Sequence, residues 1–327
     1  MKFQPHHFTL ALVGSVIIAT VFPCHGIGKT IFDYITTAAI ALLFFFHGAK
    51  LSREAIITGV THWKLHLLVF LSTFVLFPVY GLLLQPFLEP LVTPNLYTGI
   101  LFVCVLPSTV QSSIALTSMA RGNIAAAVCS ATISNIVGML VTPLLVKVVI
   151  VKHRDGSSGF SGIIDILFQL LLPFILGQIA RRWMATWIDS KKSILTVIDQ
   201  FWILLVVYTT FSAAVIKGLW TETPVMSLFG LVLVNGVLLF LVLLSTCILS
   251  RIFGFDKADE VTIVFCGSKK SLASGVPMAN VLLSESTKGA SVLPLMLFHQ
   301  LQLMVCALLA QNYAKRTEDN HPDDHTD

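Results

Sequence analysis

The sequence predicts an all-α membrane protein of ten transmembrane helices, arranged as two inverted five-helix repeats with helices four and nine broken. Three observations predict it: a chain too apolar for water, ten apolar stretches of bilayer length, and polar interruptions at matching depth in two of them. Of 327 residues, 55% are hydrophobic and 12% charged, and mean hydropathy is +0.85. A soluble domain carries about 25% charged residues. Half that fraction leaves too little polar surface to cover a globule, so lipid must solvate much of the chain.

A hydrocarbon core about 30 Å thick takes about 20 apolar residues per helix. On that rule the spans fall near 8–24, 31–49, 63–86, 97–120, 124–146, 161–181, 196–216, 227–250, 261–283 and 291–313. Backbone groups cannot stay unpaired in hydrocarbon, so spans of this length are helices. The first apolar run ends in Phe22-Pro23-Cys24-His25 and not in a small-residue cleavage site, so it reads as a retained span. Spans one to five occupy 1–155, spans six to ten 156–314, and 315–327 is a polar tail expected to be disordered and cytoplasmic. Five is odd, so the second half starts from the opposite face of the membrane, as an inverted repeat requires. With the N-terminus inside, one set of loops carries 13 Lys and Arg and the other 6. Both termini are therefore expected in the cytoplasm.

Several function classes drop out. The net charge of +4 is spread over short loops, so the lipid bilayer is an expected partner and nucleic acid is not. The six cysteines lie in apolar stretches without a CxxC pair, which indicates neither a disulfide framework nor a zinc site, and each reads as a small buried hydrophobe. Neither HExxH nor GxSxG occurs, and no catalytic residue or metal ligand is assigned.

The chemistry concentrates in the two interruptions. Span four carries Pro107-Ser108-Thr109-Val110-Gln111-Ser112-Ser113; span nine carries Gly267-Ser268-Lys269-Lys270-Ser271 and then Ser274-Gly275-Val276-Pro277. Pro removes a backbone donor and Gly loosens a helix, so Pro107, Gly267, Gly275 and Pro277 mark broken-helix positions. Paired breaks in corresponding spans point to a transporter binding site. Its candidate members are Thr109, Gln111, Ser112, Ser113, Ser268, Lys269, Lys270, Ser271 and, from span ten, His299. Any one of these serines could instead bond the carbonyl one turn back. The lysines resist that reading, because an ammonium at mid-membrane costs about 2.5–3.5 kcal/mol. No acid sits at their depth, so each has three ways out: neutrality, carbonyls at a broken helix end, or an anion from outside. His299 could bond a solute or relay protons, or be satisfied by a neighbouring helix. His47, at the end of span two, reads as an interface residue.

At these residues the chain resembles the bile acid:sodium symporter family, solute carrier family 10, in the branch that holds YfeH and solute carrier family 10 member 7. The resemblance runs over nearly the whole chain. It is carried by Leu42-Leu43-Phe44-Phe45-Phe46-His47-Gly48-Ala49-Lys50-Leu51-Ser52, by Leu106-Pro107 through Gln111-Ser112-Ser113, by Met119-Ala120-Arg121-Gly122-Asn123, and most specifically by Val264 through Met278. It implies a panel of spans one, two, six and seven, and a core of the other six whose broken helices cross near a solute cavity. It also implies alternating access for a small-molecule solute in a bacterial inner membrane.

Sodium-coupled members place a Ser-Asn pair after the span-four break, hydroxyls in span five, and a glutamate with a glutamine in span nine. Here those places read Ser112-Ser113, Ala127 and Ala131, and Cys266 with Lys269 or Lys270. A sodium site wants hard oxygen ligands and a carboxylate. The expectation is a secondary transporter of a small organic anion, without a cofactor, in which the Lys270 ammonium fills the place of sodium. Coupling is then absent or carried by protons. The alternative that the resemblance implies is a regulatory membrane protein that influences calcium entry without transporting.

Overall fold

The computed structural model describes residues 5–50, 62–151, 161–216, 218–283 and 287–315. These form twelve principal helices: α1 (Pro5–Val21), α2 (Gly26–Lys50), α3 (Trp63–Leu83), α4 (Pro94–Val105), α5 (Gln111–Met119), α6 (Ile124–Val146), α7 (Ser161–Ser190), α8 (Lys192–Ile216), α9 (Val225–Ile252), α10 (Lys257–Gly267), α11 (Leu272–Leu282) and α12 (Lys288–Ala314). Among the described residues there is no strand. Six helices are long and apolar enough to cross a membrane: α2, α3, α8, α9, α12 and α6 with its continuation to Ile150. The protein is thus a multi-pass, all-helical membrane protein. Residues 152–160, where the two halves join, and most of the tail lie outside the described residues.

Local sequence explains where several of the helices begin. Thr93 caps α4 by accepting from the Leu96 N–H, Asn123 caps α6 through Ala126, Asp256 caps α10 through Asp259, and Ser271 caps α11 through Ser274. Each side chain satisfies one amide that the first helical turn leaves unpaired. In α3 the turn Ser72–Leu76 is π-helical.

α2 lies along α7, α1 along α8, and α2 also touches α8. The α2–α7 contact is the most extensive helix pairing among the described residues. A Cβ at Gly48 would sit 2.0 Å from the Phe174 carbonyl oxygen, and one at Gly177 would sit 1.9 Å from that of Phe45. The two glycines face each other's backbone, and any side chain there would force the helices apart. A second assembly contains α3, α4, α5, α6, α9, α10 and α12, with Phe77, Phe102, Phe265 and Phe298 fully buried in it. Four cysteines, Cys104, Cys129, Cys266 and Cys306, are buried as expected; Cys24 and Cys247 are only half-buried and end up nearer the surface.

Candidate functional site

Both expected breaks are present, and they touch. Helix α4 stops at Val105 and the chain re-enters helix at Gln111; α10 stops at Gly267 and re-enters at Leu272. The Ser271 amide donates to the Pro107 carbonyl at 2.8 Å, Ser108 Oγ to the Cys266 carbonyl at 2.6 Å, and Ser113 Oγ to the Phe265 carbonyl at 3.1 Å. The first break therefore supplies hydroxyls for the carbonyls that the end of α10 leaves unpaired.

The span-nine signal was broader than the break itself. Gly275 and Pro277 lie inside the regular helix α11, so they are not broken-helix positions. Gly275 is small for a packing reason: a Cβ there would meet Leu106 Cδ1 at 2.5 Å and Leu295 Cδ2 at 2.7 Å. Pro107 lies between α4 and α5, and Gly267 is the last residue of α10.

Lys270 is fully buried, and its ammonium donates to three main-chain carbonyls: Thr73 at 2.7 Å, Cys104 at 2.8 Å and Leu106 at 2.8 Å. The Phe77 ring closes a further side, with its centroid 4.1 Å from Nζ. Two of the carbonyls are free because α4 ends there, at the negative pole of its dipole. The third is free because of the π turn. The Phe77 N–H already reaches back five residues to Ser72; the next amide in that register belongs to Pro78, which has none to give Thr73. Three charge-assisted hydrogen bonds at about 1.5–3 kcal/mol each outweigh the cost of placing an ammonium at this depth. Of the three outcomes open to the lysines, Lys270 takes the carbonyl one.

Lys269 is also fully buried, yet among the described residues it makes a single hydrogen bond, to the Ser112 carbonyl at 2.8 Å, and lies 5.4 Å from the Phe265 ring centroid. Among the described residues neither amine forms an ion pair, and no group of three or more His, Cys, Asp and Glu is placed to hold a metal.

Each break is also held at its third residue, in the same register. Ser108, three residues past Val105, donates its N–H to Ser134 Oγ (3.0 Å), and its carbonyl accepts from Asn135 Nδ2 (2.8 Å). Lys270, three residues past Gly267, donates its N–H to Gln302 Oε1 and accepts at its carbonyl from Gln302 Nε2, both at 2.8 Å. In both cases the helix that follows the broken pair supplies both partners. Asn135 Oδ1 then accepts from Ser274 Oγ at 2.8 Å, tying α6 to α11. Gln302 Nε2 also donates to His299 Nδ1 at 2.9 Å, which leaves His299 Nε2 as its N–H.

The remaining candidates divide by accessibility. Ser113, Ser268 and Ser271 are buried and bonded to the scaffold, Ser268 Oγ to the Val264 carbonyl at 2.5 Å. Thr109 is buried and shares hydrogens with Ser112 and Ser113. Gln111 is exposed, and Ser112 and His299 are partly so. Gln111, Ala115 and Ser118 form an exposed stripe along one face of α5. Asn135, Ser108, Thr73 and Gln302 were not among the candidate residues of the sequence. An amide one helix downstream of each break is the signal that could have found two of them.

A multi-pass helical membrane protein with two interrupted helices crossing around buried lysines belongs among the transporters. More narrowly, the chain belongs to the SBF-like CPA transporter family, whose model matches residues 6–315. It is similar to the uncharacterized protein PA2026 of Pseudomonas aeruginosa, 58% identical over 97% of this chain and 96% of that one. It is also similar to the protein named Putative symporter YfeH of Escherichia coli, 53% identical over 95% and 93% of the two chains. Sodium/bile acid cotransporter 7 of Xenopus tropicalis is 33% identical over 84% of this chain and 81% of its own.

Proposed function

We propose that this protein is a secondary transporter of a small organic anion, working by alternating access and without sodium coupling. The observation that carries the reading is the Lys270 ammonium inside a cage of three carbonyls and an aromatic face. Such a cage is what a monovalent cation bound between broken helices would need, and here a tethered cation fills it permanently. Lys269, with two of its three donors uncommitted among the described residues, is the charge left to meet an incoming carboxylate.

Two inverted repeats, 1–155 and 156–314, are supported by the equal register of the two cradled breaks. The helix pairs agree as well: α2 against α7 and α1 against α8 exchange under such a repeat. In this reading α1, α2, α7 and α8 are the panel and the remaining helices the core. Helix α11 packs on α7 and α8, closing one side, whereas α5 packs on α6, α10 and α12 and keeps its stripe of Gln111, Ala115 and Ser118 exposed. With both termini cytoplasmic, this arrangement is the inward-facing state, in a bacterial inner membrane.

Proteoliposomes tested against a panel of small carboxylates, with choline replacing sodium, examine the proposal. Flux of a carboxylate unaffected by the replacement is expected. Flux that vanishes with sodium overturns the coupling, and a preference for neutral solutes overturns the anion. Absence of flux for every solute would favour a regulatory protein.

A further inference from the structure

We infer that Arg121, in the turn after α5, is the point at which an incoming anion is first captured on its way to Lys269. That an anion arrives here at all rests on the transporter reading above; the site itself rests on how α5 ends. The helix stops at Met119, and the chain turns through Ala120, Arg121 and Gly122 before α6 begins at Ile124. The Gly122 N–H donates to the Thr117 carbonyl at 2.8 Å, and the Arg121 N–H to the Ser118 carbonyl at 3.2 Å. This pair of bonds is the Schellman closure of a helix, which puts the residue after the C-cap in left-handed backbone, a place glycine usually takes. Here that residue is Arg121, at φ 53°, the one non-glycine residue with positive φ among the described residues. Glycine stands one place later, for packing: a Cβ at Gly122 would meet Thr117 Cγ2 and Val261 Cγ1, both at 2.7 Å.

A side chain held in left-handed backbone is strained, and such strain persists where the side chain has a use. Arg121 has none inside the scaffold. It is exposed, and among the described residues its guanidinium forms no hydrogen bond and no ion pair. An acid is at hand and is spent elsewhere: Asp259 accepts from Asn123 Nδ2 at 2.9 Å, two residues past Arg121, and lies 3.9 Å from His62 Nδ1. The exposed residues Gln111, Ala115 and Ser118 run along α5 from the first break to this turn. A glutamine at the depth of the breaks is costly against lipid, so the stripe lines a wet cleft. Arg121 stands at one end of it. Lys269, bonded to the Ser112 carbonyl, stands at the other, about 13 Å away by helical rise. A guanidinium at the mouth matches a carboxylate with two parallel donors and concentrates anions before the buried amine.

The test reads the charge at this mouth without a transported solute. Ser118→Cys is placed in the full-length protein in nanodiscs of neutral phosphatidylcholine. Its modification at low salt by a sulfonate-bearing and by a trimethylammonium-bearing methanethiosulfonate is followed by mass spectrometry of the adduct at position 118. The anionic reagent is expected to be favoured, and adding Arg121→Gly should lower that preference about threefold or more. Strain released in the fold and freedom gained by the unfolded chain nearly offset, so Arg121→Gly should melt within about 3 °C of the parent. A preference that Arg121→Gly leaves unchanged overturns the proposal. A larger fall in melting temperature does so too, since it would make the guanidinium structural. Nanodiscs containing anionic phosphatidylglycerol separate a lipid headgroup from a soluble anion: loss there of the Arg121-dependent preference would assign the charge to lipid and overturn capture of a solute. The measurement needs no flux, so its failure and that of the transport reading are separate results.

Discussion

The two breaks are built on one plan and finished differently. In each, the residue three past the helix end is held at both its N–H and its carbonyl by the helix that follows, through Ser134 and Asn135 in the first and Gln302 in the second. The exposed ends are then satisfied by opposite means. The carbonyls ending α10 receive neutral hydroxyls from Ser108 and Ser113, while those ending α4 receive the Lys270 ammonium. The half-helices beyond also diverge: α11 is packed on nearly every side, and α5 keeps one polar face open. The difference teaches that backbone shape at the crossing is fixed by neutral side-chain amides and hydroxyls. Charge and accessibility can therefore vary on top of it.

The strongest way to break that comparison is to remove the charged finish. Lys270→Met leaves three buried carbonyls without a donor, at about 1–3 kcal/mol each, and should lower the melting temperature more than any other single change at the crossing. Potassium or ammonium should restore part of the loss, because either can enter a carbonyl cage of this size. Lys269→Met removes one hydrogen bond and should cost about a third as much. Equal losses in the two variants would mean that the cage is not special.

Next come the cradles. Ser134→Ala combined with Asn135→Leu, and Gln302→Leu alone, each strip both partners from one break, and each should cost about 2–4 kcal/mol. A denaturant or thermal series in detergent would show whether the two penalties match. If either variant is as stable as the parent, the shared register is a coincidence of packing.

The smallest effect concerns the half-helices and reads accessibility. Cysteine placed at Ala115 or Ser118 should react with a membrane-impermeant thiol reagent at least about tenfold faster than cysteine placed at Val276 or Ala279, since reactivity follows exposure. Equal labelling on the two half-helices would remove the argument that one side is closed.

Much of this was legible in the sequence because the bilayer writes its requirements in long, plain patterns. The helices begin and end close to the apolar stretches, and Pro107 and Gly267 announced the breaks because their backbone chemistry is local. Gly275 and Pro277 misled for the same reason: a short helix capped by Ser271 tolerates both, and only the third dimension shows Leu106 and Leu295 pressed against the glycine. The partners of Lys270 were invisible, since carbonyls are present at every residue and nothing in a one-dimensional pattern says which are free. Pro78 held a clue. A proline five residues after Thr73 frees that carbonyl only if the intervening turn is π-helical, and that depends on packing. Asn135 looked like an ordinary polar residue among Ala, Thr, Ile and Ser, because its value lies in reaching Ser108 across 27 positions.

Where Gly48 and Gly177 meet, the backbones of α2 and α7 sit atom against atom. A joint without side chains has no rotamers to rearrange and no slack to take up. Sliding by even one residue would drive a Cβ into a carbonyl, so these two helices travel as one plank. Any rocking the protein performs has to be accommodated at looser seams, such as the side-chain contact between Asn280 and Thr210.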